Sequence, residues 1–201
     1  WNVIDDFWDH QSVGDLVYNL NNNDTVYVAT DDHDSFFNFN RGVLRSDDGG
    51  VTWNIAGLPN SMANQVFKLA MAPDGRTLYA CTSSGLFKST NHGVTWVKNT
   101  SLPSTLKAND IEFHPTNSQV IYVTSRSGTD QHPIGGSNFS YFYVSTDGGT
   151  TFNVVTCPLD SKGRPAQVSV SPNNANIVYV SVYPDDEGGV PENQGGMIMK
   201  Y

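Results

Sequence analysis

Short segments in which apolar and polar residues alternate recur four times along the chain in the same order. In each repeat a first segment is followed by a turn rich in Asn, Asp, Pro or Gly and then by a second alternating segment. Alternation with a period of two predicts β-strands, and the turn residues predict tight connections between them. The predicted first strands are residues 15–20, 66–71, 110–114 and 167–171, and the second strands are residues 25–29, 77–81, 120–124 and 177–181.

A motif of eight residues follows the third strand of three repeats, and Trp1-Asn2-Val3-Ile4 matches the end of one more copy. The motif has the pattern Ser-x-Asp/Asn-x-Gly-x-Thr-aromatic and lies between apolar runs, which indicates a hairpin connection. Glycine supplies the positive φ of a tight turn, and the Ser and Asp or Asn side chains bond backbone amides. The motif residues are therefore predicted to be structural rather than catalytic: Ser46, Asp48, Gly50, Trp53, Ser89, Asn91, Gly93, Trp96, Ser145, Asp147, Gly149 and Phe152.

Four strands per repeat, with one recurring hairpin, predict an all-β chain of β-propeller blades. Each blade is a four-stranded antiparallel sheet, and Tyr27, Tyr79, Tyr122 and Tyr179 share one register of the second strand. The predicted blade limits are residues 1–4 for the last strand of a preceding blade, and then 5–55, 56–98, 99–155 and, for a blade with three strands, 156–201.

The motif resembles the Asp box, or bacterial neuraminidase repeat, of sialidases, xyloglucanases, sortilin-type receptors and many secreted bacterial propeller proteins. The resemblance implies six or more blades and hence an arc of a larger propeller, although a four-bladed ring closed by residues 1–4 also fits the pattern. Sequence segments such as residues 110–117 are similar to segments of large Asp-box surface proteins of Bacteroidota. This resemblance implies secretion or surface display through type IX secretion.

Composition limits the partners. The net charge of −9 and the pI near 4.7 argue against nucleic acid, which needs clustered Lys and Arg. The chain contains no apolar run of about 18 residues, so no membrane span is predicted.

Cys81 and Cys157 lie in different repeats and are predicted to be free thiols. The expected partners are a protein or glycan ligand and the rest of a larger chain.

In a blade, the second-to-third loops lie opposite the boxes, and in sialidase-like propellers that face carries the active site. These loops are long in three repeats, and long loops on a rigid scaffold often carry function. The candidate binding-face residues are Asp31, Asp32, His33, Asp34, Phe36, Phe37, Arg126, Asp185, Asp186 and Glu187. Both acidic clusters are interpreted as solvated loops in preference to Ca²⁺ sites, because the spacing of a calcium loop is absent. No cofactor is predicted.

Asp31 is the candidate catalytic residue. Xyloglucanases place a catalytic aspartate in a Thr-Asp-x-Gly-Gly context of such a loop, and Thr30-Asp31 matches its first two residues.

A second pair of ionisable residues, Glu112 and His114, lies on one face of a first strand. We interpret this pair as a polar contact between blades in preference to an acid/base pair.

Three functions compete. The favoured hypothesis is a secreted or cell-surface propeller that binds or scaffolds a protein or glycan without catalysis. The alternative is a glycoside hydrolase of xyloglucanase type with a carboxylate acid/base pair. A sortilin-like receptor is a third reading, although no cysteine-rich segment follows the blades in this sequence. Sialidase activity is disfavoured because no Arg-Ile-Pro segment precedes the boxes.

Overall fold

The computed structural model describes residues 13–30, 41–58, 65–126, 141–155, 163–184 and 197–200. Its strands in the first two repeats are β1 (Val13–Asn19), β2 (Asn22–Thr30), β3 (Val43–Ser46), β4 (Asn54–Ile55), β5 (Val66–Met71), β6 (Leu78–Thr82), β7 (Gly85–Ser89) and β8 (Val97–Lys98). Those in the next two repeats are β9 (Lys107–His114), β10 (Asn117–Arg126), β11 (Phe142–Ser145), β12 (Asn153–Val155), β13 (Gly163–Val170), β14 (Val178–Pro184) and β15 (Met197–Lys200).

Each repeat forms its own antiparallel sheet in which consecutive strands are neighbours. Three sheets have four strands, in the orders β1 to β4, β5 to β8 and β9 to β12, and the last has three, β13 to β15. The predicted first and second strands are confirmed, because each overlaps an observed strand in the expected pairing. The fourth strands are only two or three residues long, which limits the exposed hydrogen-bonding edge of each sheet.

The chain divides into two compact units, residues 1–98 and 99–201, and each contains two repeats. In the first unit the two sheets bury one apolar cluster that includes Tyr27, Leu58, Leu69, Leu78 and Trp96. Leu58 and Leu78 are fully buried, and each such side chain contributes about 1.5–3 kcal/mol relative to an exposed one. Strand alternation places Tyr27, Leu69 and Leu78 on the faces that meet, whereas Leu58 and Trp96 join the cluster from positions just outside the short fourth strands.

The second unit has an equivalent cluster. Tyr122 stacks on Phe142 with ring centroids 5.9 Å apart, and both pack with Val168, Val178 and Val180 of the following sheet. Tyr122 thus occupies the place that Tyr27 holds in the first unit, as their shared register predicts. Tyr179 has the same register in the last repeat but is 44% exposed.

A carboxylate joins the two sheets of each unit. The Leu69 amide donates to Oδ2 of Asp15 at 2.9 Å, and the Val168 amide donates to Oδ2 of Asp110 at 2.9 Å. Both acceptors lie in the first strand of one sheet, directly after a shift in its register, and both donors lie in the first strand of the next sheet. An amide on the free edge of a strand needs such a partner when it is buried, so the aspartate supplies one across the sheets.

Candidate functional site

The box of the first repeat is a turn closed by its own side chains. The Ser46 hydroxyl accepts from the Gly50 amide at 2.8 Å and donates to Oδ1 of Asp48 at 2.7 Å. The Thr52 amide donates to Oδ1 of Asp48 at 2.8 Å, and the Thr52 hydroxyl donates to Oδ2 at 2.6 Å. Gly49 adopts φ 71°, the left-handed conformation that glycine takes without steric cost. Serine and aspartate therefore act within the turn.

The other two boxes repeat this network with one informative change. In the third repeat, Asp147 accepts from the Thr151 hydroxyl at 2.6 Å, as Asp48 does from Thr52. In the second repeat, Asn91 accepts from the Thr95 amide through Oδ1 and donates from Nδ2 to the Thr95 hydroxyl, both at 2.9 Å. The side-chain amide of Asn91 thus closes the same turn as an aspartate carboxylate, with the hydrogen bond to the threonine hydroxyl reversed in direction.

The closing aromatic side chains differ in what they bind and, in the part of the chain that the structure describes, only that of the second box donates a hydrogen bond outside its own turn. Trp96 Nε1 donates to the Gly93 carbonyl at 3.0 Å and to the Ala56 carbonyl at 2.6 Å, which joins the second box to the segment that follows the first repeat. Trp53 Nε1 donates only within its own turn among the described residues, to the Gly50 carbonyl at 3.0 Å. The closing ring of the third box, Phe152, is buried and has no polar atom to donate.

Hydrogen bonding lowers the pKa of both box carboxylates. The Thr52 hydroxyl is the main cause for Asp48, whose pKa falls from 3.8 to about 2. The Thr151 hydroxyl does the same for Asp147, again to about 2. A carboxyl group with so low a pKa is ionised at neutral pH and cannot serve as a general acid there. Their chemistry therefore agrees with a structural role.

We expect the double variant Asp48→Asn, Asp147→Asn to resist acid better than the wild type. A lowered pKa contributes stability that is present above about pH 4 and is lost as the pH falls through about 2. The amides remove this dependence and preserve the turn, as Asn91 shows. Urea midpoints measured from pH 5 to pH 2 should fall less steeply in the variant, and Asn91→Asp should steepen the fall. A wild-type slope in the double variant would refute this account.

The boxes lie beside the first-to-second turns of their own repeats. The Gly49 amide donates to the Asp24 carbonyl at 2.9 Å, and the Gly148 amide donates to the Gln119 carbonyl at 2.9 Å. The second repeat has the same contact, from the His92 amide to the Arg76 carbonyl at 3.2 Å. Because strands run the length of a blade, the second-to-third loop of each repeat leaves its sheet at the end opposite the box, which is the end where ligand binding is predicted.

Most of the predicted binding-face residues lie outside the described part of the chain: Asp31, Asp32, His33, Asp34, Phe36, Phe37, Asp185, Asp186 and Glu187. The described residues on both sides of the first loop are Thr30 and Arg41, which meet at the end of the sheet because the Arg41 amide donates to the Thr30 hydroxyl at 2.9 Å. Arg126 ends β10 in register with Lys107 of β9. The roles of all these residues stay predictions.

His114 differs from its expected role. Its Nδ1 atom accepts from the Asn117 amide at 3.1 Å and from the Thr116 amide at 3.3 Å, so the ring closes the turn between β9 and β10 rather than linking two blades. Cys81 is buried and forms no disulfide, as predicted, whereas Cys157 lies outside the described residues. Within the described ranges no group of three or more His, Cys, Asp or Glu side chains is arranged to hold a metal ion. That part of the chain also lacks any helix capable of crossing a membrane.

The chain is similar in sequence to known xyloglucanases, although no family model matches it. It is 32% identical over 198 residues to Xyloglucanase Xgh74A of Acetivibrio thermocellus, a match that covers 88% of this chain and 23% of that protein. A xyloglucanase of Paenibacillus sp. is 27% identical over 183 residues, with 77% of this chain and 18% of that protein covered. The chain therefore spans about a fifth to a quarter of the length of these relatives.

Solved structures confirm the fold. The GH74 enzyme of Niastella koreensis superposes with a TM-score of 0.66 at 25% identity, over 94% of this chain and 28% of that one. An ancestral GH74 enzyme gives a TM-score of 0.67 at 24% identity, over 84% of this chain and 21% of that one. The chain is therefore an all-β assembly of β-propeller blades, as predicted.

Proposed function

We propose that this chain is part of a xyloglucanase-type glycoside hydrolase of the Asp-box class, and that its three long second-to-third loops, but not the two-residue loop of the second repeat, contribute to a polysaccharide-binding face. The observation that carries the proposal is the 32% identity to Xyloglucanase Xgh74A over 88% of the chain. A polysaccharide substrate requires an enzyme outside the cell or on its surface, because the polymer does not cross membranes. This proposal adopts the alternative from the sequence analysis in place of a purely binding role.

The architecture supports a division between scaffold and binding face. The box side chains are engaged in closing their own turns, as Ser46 and Asp48 illustrate. The second-to-third loops, at the opposite ends of the strands, contain no box. The loop of the first repeat contains the acidic and aromatic residues 31–37. Carboxylates serve glycoside hydrolysis as acid/base pairs or nucleophiles, and aromatic faces offer flat apolar area to a sugar ring.

Asp31 is the proposed catalytic carboxylate of this segment. It follows Thr30 in the Thr-Asp order of the xyloglucanase context. Hydrolysis requires a second carboxylate about 5–10 Å away, across the glycosidic bond. Since this chain spans only a quarter of its relatives or less, that partner is proposed to come from another part of the complete propeller.

A non-catalytic glycan-binding propeller is the second candidate, and one observation favours it. Asp32-His33-Asp34 replaces the residues that follow Thr-Asp in the xyloglucanase context, including both glycines. Larger polar side chains in place of two glycines change the space available to a sugar next to Asp31. Binding without hydrolysis is the result expected if that change has removed catalysis.

Xyloglucan hydrolysis and xyloglucan-oligosaccharide binding by the full-length protein separate the two candidates. For a hydrolase, we expect Asp31→Asn to lower kcat by about a hundredfold or more and to change the Kd of the oligosaccharide little, because the amide is isosteric. Asp48→Asn is the matched control, since it makes the same chemical change in a box turn and should alter neither value. Binding without measurable hydrolysis by the wild type selects the second candidate, and a lack of both refutes the proposal.

A further inference from the structure

One hydroxyl side chain ties the base of the second-to-third loop in each of the first three repeats. The residues are Thr30, Thr82 and Ser125, which stand at or next to the end of the second strand. All three are almost fully buried, with 2%, 0% and 2% of their surface exposed. In each case the hydroxyl faces the backbone that leads into the third strand, so the two ends of the loop are held together.

The bonds of Thr30 illustrate the arrangement. Its hydroxyl donates to the Gly42 carbonyl at 2.8 Å and accepts from the Arg41 amide at 2.9 Å. The Thr30 amide also donates to the Gly42 carbonyl, at 3.0 Å. The last residue before the first loop is thereby fixed to the first two residues after it by three hydrogen bonds.

The same pattern appears where the loops differ most in length. In the second repeat, the Thr82 hydroxyl donates to the Gly85 carbonyl at 2.8 Å and accepts from the Ser84 amide at 3.1 Å, around a loop of two residues. In the third repeat, the Ser125 hydroxyl accepts from the Tyr141 amide at 2.9 Å, across residues 126–140. Because the bonds persist over loops of such different length, they belong to the scaffold rather than to any one loop.

We infer that Thr30 is a positioning residue for the proposed polysaccharide-binding face. This inference rests on the proposed function, because it assigns to Thr30 the task of holding the start of the loop that contains Asp31. Asp31 is the next residue in the chain, so the three hydrogen bonds that fix Thr30 act directly beside the proposed catalytic carboxylate. Catalytic and binding groups lose efficiency steeply when they are displaced by about 1 Å. A buried hydroxyl that is hydrogen-bonded at the loop base opposes that displacement.

The test compares Thr30→Val with Thr82→Val in the full-length protein. Valine keeps the shape of threonine and removes the hydroxyl, and both variants lose equivalent bonds. Thr82→Val reports the stability cost alone, because its loop has only residues 83 and 84. At a temperature where both variants remain folded, we expect Thr30→Val to lower kcat/KM on xyloglucan by on the order of tenfold, Thr82→Val to leave it near wild type, and Thr30→Ser to restore most of the loss.

A second measurement does not depend on any ligand. In Thr30→Val, limited proteolysis should cut within residues 31–40 several times faster than in the wild type, with little change elsewhere. Equal losses of kcat/KM in Thr30→Val and Thr82→Val would overturn the positioning role. Unchanged cleavage of residues 31–40 in Thr30→Val would also overturn it, even if the wild type proves inactive on xyloglucan. Faster cleavage together with an inactive wild type would refute the proposed function and retain the loop anchor.

Discussion

The variant Gly57→Ala is expected to lose about 2–5 kcal/mol of unfolding free energy. Gly57 has φ 60°, a conformation that costs an L-residue about 1–2 kcal/mol. An added Cβ would also overlap the Val94 carbonyl oxygen and lie 2.8 Å from the Gly93 carbonyl oxygen. Both are backbone atoms of the second box and cannot rotate away, so relief requires a backbone shift that costs about 1–3 kcal/mol.

The contacts of the residues on both sides of Gly57 explain why a backbone shift at Gly57 would also disturb its neighbours. Ala56, its neighbour, accepts from Trp96 Nε1 through its carbonyl, and Leu58 on the other side is fully buried in the core of the first unit. Moving Gly57 away from the second box therefore strains a buried hydrogen bond and a buried leucine together. The connection between the first two repeats acts as a packed part of their interface.

Gly49→Ala is the matched control for this prediction. Gly49 has φ 71°, yet the nearest atom to its added Cβ is a side-chain oxygen of Asp24 at 3.9 Å. It therefore carries the conformational cost of about 1–2 kcal/mol without the collision. Urea unfolding at neutral pH measures both variants. If Gly57→Ala costs no more than Gly49→Ala, the close approach to Val94 is not energetically important.

The sequence predicted what depends on local pattern. Alternation predicted the strands, and two of the tyrosines that share one register of the second strand, Tyr27 and Tyr122, occupy equivalent positions in the two apolar clusters. The box turns followed from the chemistry of Ser46 and Asp48, because a serine and an aspartate two residues apart can satisfy the amides of one tight turn. These are contacts within a few residues, where spacing determines geometry.

Contacts between repeats were missed. Nothing local in Asp110-Ile111 shows that the carboxylate reaches Val168, 58 residues later. Asp15 at the equivalent place in the first repeat is the signal that a comparison of repeats could have used, although Lys68 and Gln167 at the same register obscure it. Thr30 was overlooked for a similar reason, since one threonine at a strand end has no distinctive pattern until its partner across the loop is known.

We expect Asp110→Ala to cost about 3–5 kcal/mol of unfolding free energy in the second unit. Asp110 is 8% exposed, and its two carboxylate oxygens accept from two amides, Ile111 and Val168, each at 2.9 Å. Removing the acceptor leaves two buried donors, and each unsatisfied group costs about 1–3 kcal/mol. Alanine offers no replacement acceptor, and the space left by the carboxylate adds the cost of a cavity.

The equivalent change in the first unit provides the comparison. Asp15 accepts from the Leu69 amide at 2.9 Å and lies 3.7 Å from Lys68 Nζ, and its side chain is 19% exposed. Water can therefore replace part of what Asp15→Ala removes, and the expected cost is about 1–2 kcal/mol. Asp110→Asn should fall between Asp110→Ala and the wild type, because an amide oxygen can serve one of the two donors but its NH₂ group faces the other.

Amide hydrogen exchange shows which part of the second unit Asp110→Ala destabilises, and by how much. In Asp110→Ala, the Val168 amide should exchange much faster relative to Val180, a neighbouring core residue that does not depend on the carboxylate. Uniform acceleration of both amides would mean that the unit is destabilised globally without a specific clamp. Unchanged exchange at Val168 would mean that the carboxylate does not hold the first strands of the two sheets together, and the strand contacts alone would then have to account for the packing of these repeats.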